Sequence, residues 1–250
     1  TDLNLIPQHH PAARRMIQQV IGEAAHMMTV AAALKRYLLE LGARDERVTV
    51  LRNGVDLKLF TPPADRDDLR TRLGIAGNTL ISTGHLIERK GHHLVIEAMR
   101  DLPDMELVIA GDGPEQASLA QLVESGSLQD RVRFAGRLSQ ERLREHYQAA
   151  DALVLASSRE GWANVLLESM ACGTPVVATP VDGTPEVVAS ADAGQLTEDR
   201  SADAIVSAVN GLFDALPAHD ATRRYAEGFS WDDTSRGQIE IFSRAVTRSR

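Results

Sequence analysis

From about Leu80 onward, short apolar runs alternate with amphipathic stretches at a spacing of roughly 20–28 residues. The runs are Leu80-Ile81-Ser82-Thr83, Leu107-Val108-Ile109-Ala110, Val132-Arg133-Phe134, Ala152-Leu153-Val154-Leu155 and Pro175-Val176-Val177-Ala178. Most lack apolar/polar alternation, as strands buried on both faces of a parallel sheet require. The stretches between them, such as residues 93–99 and 141–147, carry helical periodicity. Strand and helix in this alternation build βα units, so the spacing predicts an α/β fold with a doubly wound parallel sheet. Ligands of such sheets bind beyond the carboxyl ends of the strands. The loops that matter are therefore those after Thr83, Ala110, Phe134, Leu155 and Ala178.

The first 45 residues differ. They read as helices over about 12–22 and 29–41, with Gly42 suited to a helix C-terminus, followed by one strand over 47–51. A lone strand with helices cannot form a domain, so this segment is expected to be the tail of another one. A last helix is expected from Phe229-Ser230-Trp231-Asp232 to about Val246. Aromatic residues make up only 4% of the chain, so aliphatic side chains must build the core. The net charge of −8 argues against nucleic acid, which demands a concentrated basic surface. A single cysteine, Cys172, precludes an intramolecular disulfide and fits a cytoplasmic setting, in solution or peripheral to a membrane. No apolar run reaches the roughly 20 residues of a membrane span.

The sharpest motif is Ser157-Ser158-Arg159-Glu160-Gly161-Trp162-Ala163-Asn164-Val165-Leu166-Leu167-Glu168, across an expected strand-to-helix loop. A helix N-terminus near Ala163 and Asn164 offers backbone N–H groups and a positive dipole end to a phosphate. Carboxylates suit vicinal diols, since each accepts two hydrogen bonds. A phosphate cradle flanked by two diol readers fits a nucleotide sugar. In isolation, either glutamate reads more readily as a solvated loop or helix charge.

Three further blocks stand in order before it: Arg52-Asn53-Gly54-Val55-Asp56, Gly84-His85-Leu86-Ile87-Glu88-Arg89-Lys90-Gly91 and Ala110-Gly111-Asp112-Gly113-Pro114. Together they resemble glycosyltransferase family 4, over nearly the whole chain from Ala25 to Val246. The resemblance implies a GT-B architecture of two Rossmann-like domains, an acceptor domain and then a donor domain, with a final helix crossing back. On that pattern residues 1–46 are the acceptor domain's tail and linker, 47–228 the nucleotide-sugar-binding domain, and 229–250 the crossover helix. Thr1-Asp2-Leu3-Asn4-Leu5-Ile6 resembles a stretch late in the acceptor domain, so a missing N-terminal domain is expected, and with it donor binding without full activity.

The implied reaction is retaining, metal-independent transfer of a hexosyl group from a UDP-, GDP- or ADP-sugar to a glycan or lipid-linked acceptor hydroxyl, with no cofactor. By resemblance Glu168 binds the ribose and Glu160 the transferred sugar, and Glu160 and Lys90 are the catalytic candidates. Backbone amides around Trp162, Ala163, Asn164 and Val165 hold the pyrophosphate with Lys90 as cationic clamp, and Gly84, Gly161 and Leu166 also count among the nucleotide-sugar-binding residues. The base lies near Gly136 and Arg137. One departure stands out: the family's arginine slot after Gly84 holds His85. Either Arg89 supplies that charge, or His85 itself donates to phosphate, or His85 only packs in the loop. A GT-B epimerase or phosphorylase, or a module that only binds nucleotide sugar, remains open as an alternative.

Other motifs are weaker. Gly111-Asp112-Gly113-Pro114-Glu115-Gln116 lacks the third glycine of a dinucleotide fingerprint. Asp65-Arg66-Asp67-Asp68 reads as helix capping. His9-His10 and His92-His93 lack further ligands at metal spacing.

Overall fold

The computed structural model describes residues 10–248; residues 1–6 and His9, singled out above, lie outside that range. In chain order the elements are α1 (Pro11–Glu23), β1 (Met27–Thr29), α2 (Ala32–Glu40), β2 (Val48–Val50), α3 (Arg66–Leu73), β3 (Asn78–Thr83), α4 (His92–Ala98), β4 (Met105–Ala110) and α5 (Gln116–Ser125). They continue with β5 (Val132–Gly136), α6 (Gln140–Ala149), β6 (Ala152–Leu155), α7 (Asn164–Ala171), β7 (Val176–Ala178), α8 (Thr184–Val187), β8 (Gly194–Leu196), α9 (Ala202–Asp214), α10 (His219–Glu227) and α11 (Trp231–Arg248).

Six strands form one sheet in the order β5-β4-β3-β6-β7-β8, every neighbouring pair parallel. The chain winds outward one way from β3 and the other way from β6. The direction thus reverses between β3 and β6, and a crevice opens there at the strands' carboxyl ends. This is the doubly wound α/β sheet that the spacing predicts.

The unbroken apolar runs have a direct structural cause. Ile81, Leu153, Leu155, Val176 and Ala178 pack on one side with Leu166, Leu167 and Met170 of α7. Their neighbours Leu80, Ala152, Val154 and Val177 pack on the other with α4, α5 and α9, through Val95, Ile96, Leu119, Val123, Ile205 and Val209. Successive side chains alternate faces, but both faces are covered, so no polar position is called for. Cys172 belongs to the first layer, and burial pushes its thiol up to about 12. Asp65 caps α3, its carboxylate accepting from Asp68 N–H at 2.9 Å.

The N-terminal segment departs from the expectation. Residues 27–29, read from sequence as helix in part, form β1, which pairs in parallel with β2 as a separate two-stranded sheet. The strand at 48–50 is therefore not alone. The partner was hidden because this pairing joins residues 21 apart, as Met27 with Val48, and leaves no local periodicity. α11 starts against the 51–54 segment: a Cβ on Gly54 would lie 2.3 Å from Trp231 N, and Thr234 donates its hydroxyl to Arg52 O.

His92 opens α4 under the crevice at 1% exposure, its Nδ1 2.9 Å from Ser82 Oγ. Burial, aided by the charge of Lys90, lowers its pKa to about 4, whereas an unfolded histidine titrates near pH 6.5. Stability from the neutral ring is thus full above that value and is lost as pH falls toward 4, by up to roughly 3 kcal/mol. Urea unfolding at about pH 7 and pH 4.5 should show a smaller loss for His92→Gln than for wild type. Equal losses would show that His92 is not among the groups driving acid unfolding.

Candidate active site

The loops that leave β3 and β6 meet across the crevice, and glycine makes the meeting possible. Gly91 ends the β3–α4 loop at φ 71°, where a Cβ would lie 2.1 Å from Ala156 O on the β6–α7 loop. No side chain could replace it there. The two loops are then laced by Ser158 N–H to Arg89 O (2.8 Å) and by the Arg89 guanidinium to Arg159 O (3.3 Å). Arg89 is thereby committed to tying loop to loop.

This contact brings Lys90 to Glu160. Lys90 Nζ lies 2.5 Å from Glu160 Oε1, and Ser157 Oγ donates to the same oxygen at 2.7 Å. Glu160 is only 7% exposed and the Lys90 side chain 18%, so the pair is largely removed from water and is screened less than a surface pair. The Glu160 backbone is held as well, by Asp182 Oδ2 at its N–H (3.0 Å) and by Gly183 N–H at its carbonyl (3.2 Å).

Glu168 lies farther along α7 with a different partner: Tyr147 on α6 donates to its Oε2 at 3.2 Å. Burial raises the Glu168 pKa, and the tyrosine hydroxyl only partly opposes this. Tyr147 is fully buried, and its own pKa is pushed well above the usual value, chiefly by burial. Ala163 begins α7 without a side-chain cap. The Asn164 N–H turns back to Trp162 O at 3.1 Å, and the Leu166 N–H to Ala163 O at 3.0 Å. The Leu166 side chain is wholly in the core, while Val165 is half-buried and Asn164 exposed. Trp162 is 7% exposed, tilted against Phe229 with centroids 6.0 Å apart, and Arg52 sits 5.9 Å from its ring centroid. Asn53 donates to Asn164 Oδ1 at 3.2 Å.

On the β4–β5 side of the crevice lies a cleft of about 440 Å³, lined by Thr83, Gly84, His85, Ala110, Gly111, Asp112, Arg137, Leu138 and Leu143. Its floor depends on Gly111 (φ 154°), where a Cβ would lie 1.9 Å from Gly84 O. Gly136, at φ 67°, accepts the Gly111 N–H through its carbonyl at 2.8 Å. His85 is exposed, with Nδ1 2.6 Å from Asp112 O. A carbonyl only accepts, so Nδ1 carries the proton and Nε2 is the nitrogen left for another partner. A smaller cleft of about 240 Å³ lies at the root of α11, lined in part by Arg52 and Asn53, which contact Trp162 and Asn164.

The residues named from sequence thus group as Lys90 with Glu160 between the β3 and β6 loops that Arg89 ties together, Gly84, His85, Gly136 and Arg137 around the cleft, and Gly161 to Leu166 at the start of α7, with Glu168 apart on α7 against Tyr147. Sequence reasoning missed Tyr147 and Asp182. Asp182-Gly183 carries the ordinary signal of a turn, whereas nothing marks Tyr147 within its helix. Among the described residues no group of three or more His, Cys, Asp or Glu could hold a metal ion. No helix there is long and apolar enough to cross a membrane.

The chain is 32% identical over 244 residues to a D-inositol 3-phosphate glycosyltransferase of Mycolicibacterium smegmatis, covering 93% of this chain and 56% of the relative. It is 33% identical over 268 residues to the Kineococcus radiotolerans protein of that name, covering 94% and 61%. The chain therefore spans little more than half the length of these curated relatives. Among solved structures, Anabaena HepE in complex with UDP superposes with a TM-score of 0.87 at 25% identity, covering 96% of this chain and 70% of that one. HepE in complex with UDP-glucose gives 0.82 at 25%, covering 96% and 69%. Sucrose-phosphate synthase from Thermosynechococcus elongatus shares the fold, with a TM-score of 0.86 at 24% identity, covering 98% and 64%. Residues 65–228 match the family described as glycosyl transferases group 1, and the chain belongs to that family.

Proposed function

We propose that this chain binds the donor for a retaining, family 4 hexosyltransferase, in which a nucleotide diphosphate sugar gives its glycosyl group to an acceptor hydroxyl without a metal. The observation that carries the reading is the shielded Lys90–Glu160 pair at the switch point of the sheet. Glu160 Oε1 is occupied by Lys90 and Ser157, so Oε2 is the oxygen that takes a hydroxyl of the transferred sugar. Glu168 takes the ribose hydroxyls, and the cleft by Gly136 and Arg137 takes the base. Lys90, the N-terminus of α7 and the His85 imidazolium share the diphosphate, since with Nδ1–H on Asp112 O only a doubly protonated ring can donate from Nε2. As the leaving group gathers charge, preorganised donors of this kind stabilise it. Uracil is the first base to test, because HepE has been solved with UDP and with UDP-glucose. The acceptor, a glycan, a lipid-linked group or a polyol, would be presented by an N-terminal domain opposite the crevice.

Calorimetry with UDP and UDP-glucose tests the two glutamates. Glu160→Ala should weaken UDP-glucose by about 10- to 100-fold, one charged hydrogen bond's worth, and leave UDP nearly unchanged. Equal effects on both ligands would refute the sugar role.

Glu168→Gln should weaken UDP and UDP-glucose alike, and it should also stabilise the ligand-free protein. A carboxyl whose folded pKa is raised contributes stability that is full below about pH 4.3 and lost as pH rises through the folded value. At pH 7 wild type has lost it, whereas the amide never ionises. The melting temperature at pH 7 should rise by roughly 2–4 °C per kcal/mol recovered, and a fall would contradict this account.

EDTA should leave UDP-glucose affinity unchanged, since the proposed cations are side chains and a helix terminus. A loss reversed by Mg²⁺ or Mn²⁺ would overturn the metal-independent reading.

A further inference from the structure

Two non-glycine residues among those described have positive φ, Ser127 at 54° and Asp182 at 44°. Ser127 merely ends α5, its N–H closing on Glu124 O. Asp182 is different, because its side chain is engaged at the site. A residue in this conformation is strained relative to glycine, and it persists where its surroundings hold it there.

The carboxylate of Asp182 lies on the β7–α8 loop and faces the back of Glu160. Oδ2 accepts the Glu160 N–H at 3.0 Å, and Oδ1 accepts from Tyr37 of α2 at 3.4 Å. The next residue completes the grip, Gly183 N–H donating to Glu160 O at 3.2 Å. Gly183 fits only because it has no side chain, since a Cβ there would lie 2.3 Å from Gly161 O. The same loop also holds Ser157, whose carbonyl accepts the Thr179 hydroxyl at 2.6 Å while its own hydroxyl holds Glu160 Oε1. The β7–α8 loop therefore fixes the Glu160 backbone directly and supports its side chain through Ser157, alongside Lys90 from the β3–α4 loop.

We propose that Asp182 is a positioning residue for the donor sugar: it touches no ligand, but by accepting the Glu160 N–H it sets the direction in which the Glu160 carboxylate points. The role rests on the assignment of Glu160 to the transferred sugar made above. A hydrogen-bond acceptor at this position is what the site needs. The negative charge is secondary, and asparagine meets the same requirement because it tolerates the left-handed conformation and presents a side-chain oxygen. Glycine also takes the conformation but has no acceptor, so it separates the hydrogen bond from the backbone shape.

The test compares Asp182→Gly, Asp182→Asn, Glu160→Gln and wild type by calorimetry with UDP and UDP-glucose, and by amide exchange over residues 157–162 without ligand. Asp182→Gly should raise the Kd for UDP-glucose by about tenfold, the upper end of the effect of one lost hydrogen bond. Its Kd for UDP should stay within about twofold, and its 157–162 amides should exchange faster. Asp182→Asn should remain near wild type in all three measurements. If Glu160→Gln loses UDP-glucose selectively and Asp182→Gly does not, the positioning role is wrong while the Glu160 assignment stands. Equal losses of UDP and UDP-glucose in Asp182→Gly would mark a general defect and overturn the proposal, as would Asp182→Asn behaving like the glycine variant. Should Glu160→Gln show no selective loss, or should wild type bind none of UDP-, GDP- and ADP-glucose, the Glu160 assignment falls and this role falls with it.

Discussion

The Lys90–Glu160 ion pair joins the two halves of the sheet where their winding diverges. Everything around it is arranged to let two oppositely charged groups meet in a place with little water. Gly91 lets the loops touch, Arg89 and Ser158 hold them together, and Ser157 supports the carboxylate from below. Removing one member of such a pair leaves its partner uncompensated, at a cost of roughly 3–5 kcal/mol when fully buried. The pair therefore couples loop geometry to charge: neither loop can move far without separating the ions. The chain has only three lysines, Lys35, Lys58 and Lys90. The one placed here has a short reach to a shielded carboxylate, in a protein that otherwise relies on arginine.

The two-sided core explains why these loops can be held so closely. β3 and β6 are clamped between helical layers on both faces, with Leu80, Ile81, Ala152 and Leu153 completely buried. A site on the ends of such strands inherits their rigidity. The N-terminal segment is built differently, with a two-stranded sheet and a small cluster of Ile21, Leu38, Leu41 and Val48. It is nonetheless connected to the site. Glu186 of α8 accepts the Ala33 N–H at 3.1 Å and pairs with Arg52 at 3.0 Å, and Tyr37 reaches Asp182.

The sequence was most informative where physics is local. The five apolar runs lie on strands of the large sheet, and four of them are readable within a few residues because both faces are buried; Val132-Arg133-Phe134 lies on the edge strand β5, where Arg133 is exposed. β8 escaped notice: it is three half-buried residues at the sheet edge, beginning with Gly194 at φ 133°. β1 escaped because its partner is distant in sequence. For the site, the motif order led to the loops that converge, and the contact of Lys90 with Glu160 joins residues from two of those motifs. The bond from Tyr147 to Glu168 depends on how α6 packs on α7, and the grip of Asp182 on Glu160 depends on a turn 22 residues away. Such contacts are set by tertiary packing, and no spacing rule announces them.

Cys172 also has a practical chemical consequence. It is the chain's one thiol, it lies in the first core layer at 1% exposure, and burial holds its pKa near 12. Only a thiolate attacks an alkylating reagent or a disulfide, and at pH 8 a thiol of that pKa is ionised in about one molecule in 10⁴. The native cysteine is therefore both unreachable and unreactive while the protein is folded. A cysteine introduced at an exposed position near the crevice, such as Asn164, would react alone. The wild-type background thus admits single-site probes beside the crevice without further substitution, and labelling of Cys172 itself reports unfolding.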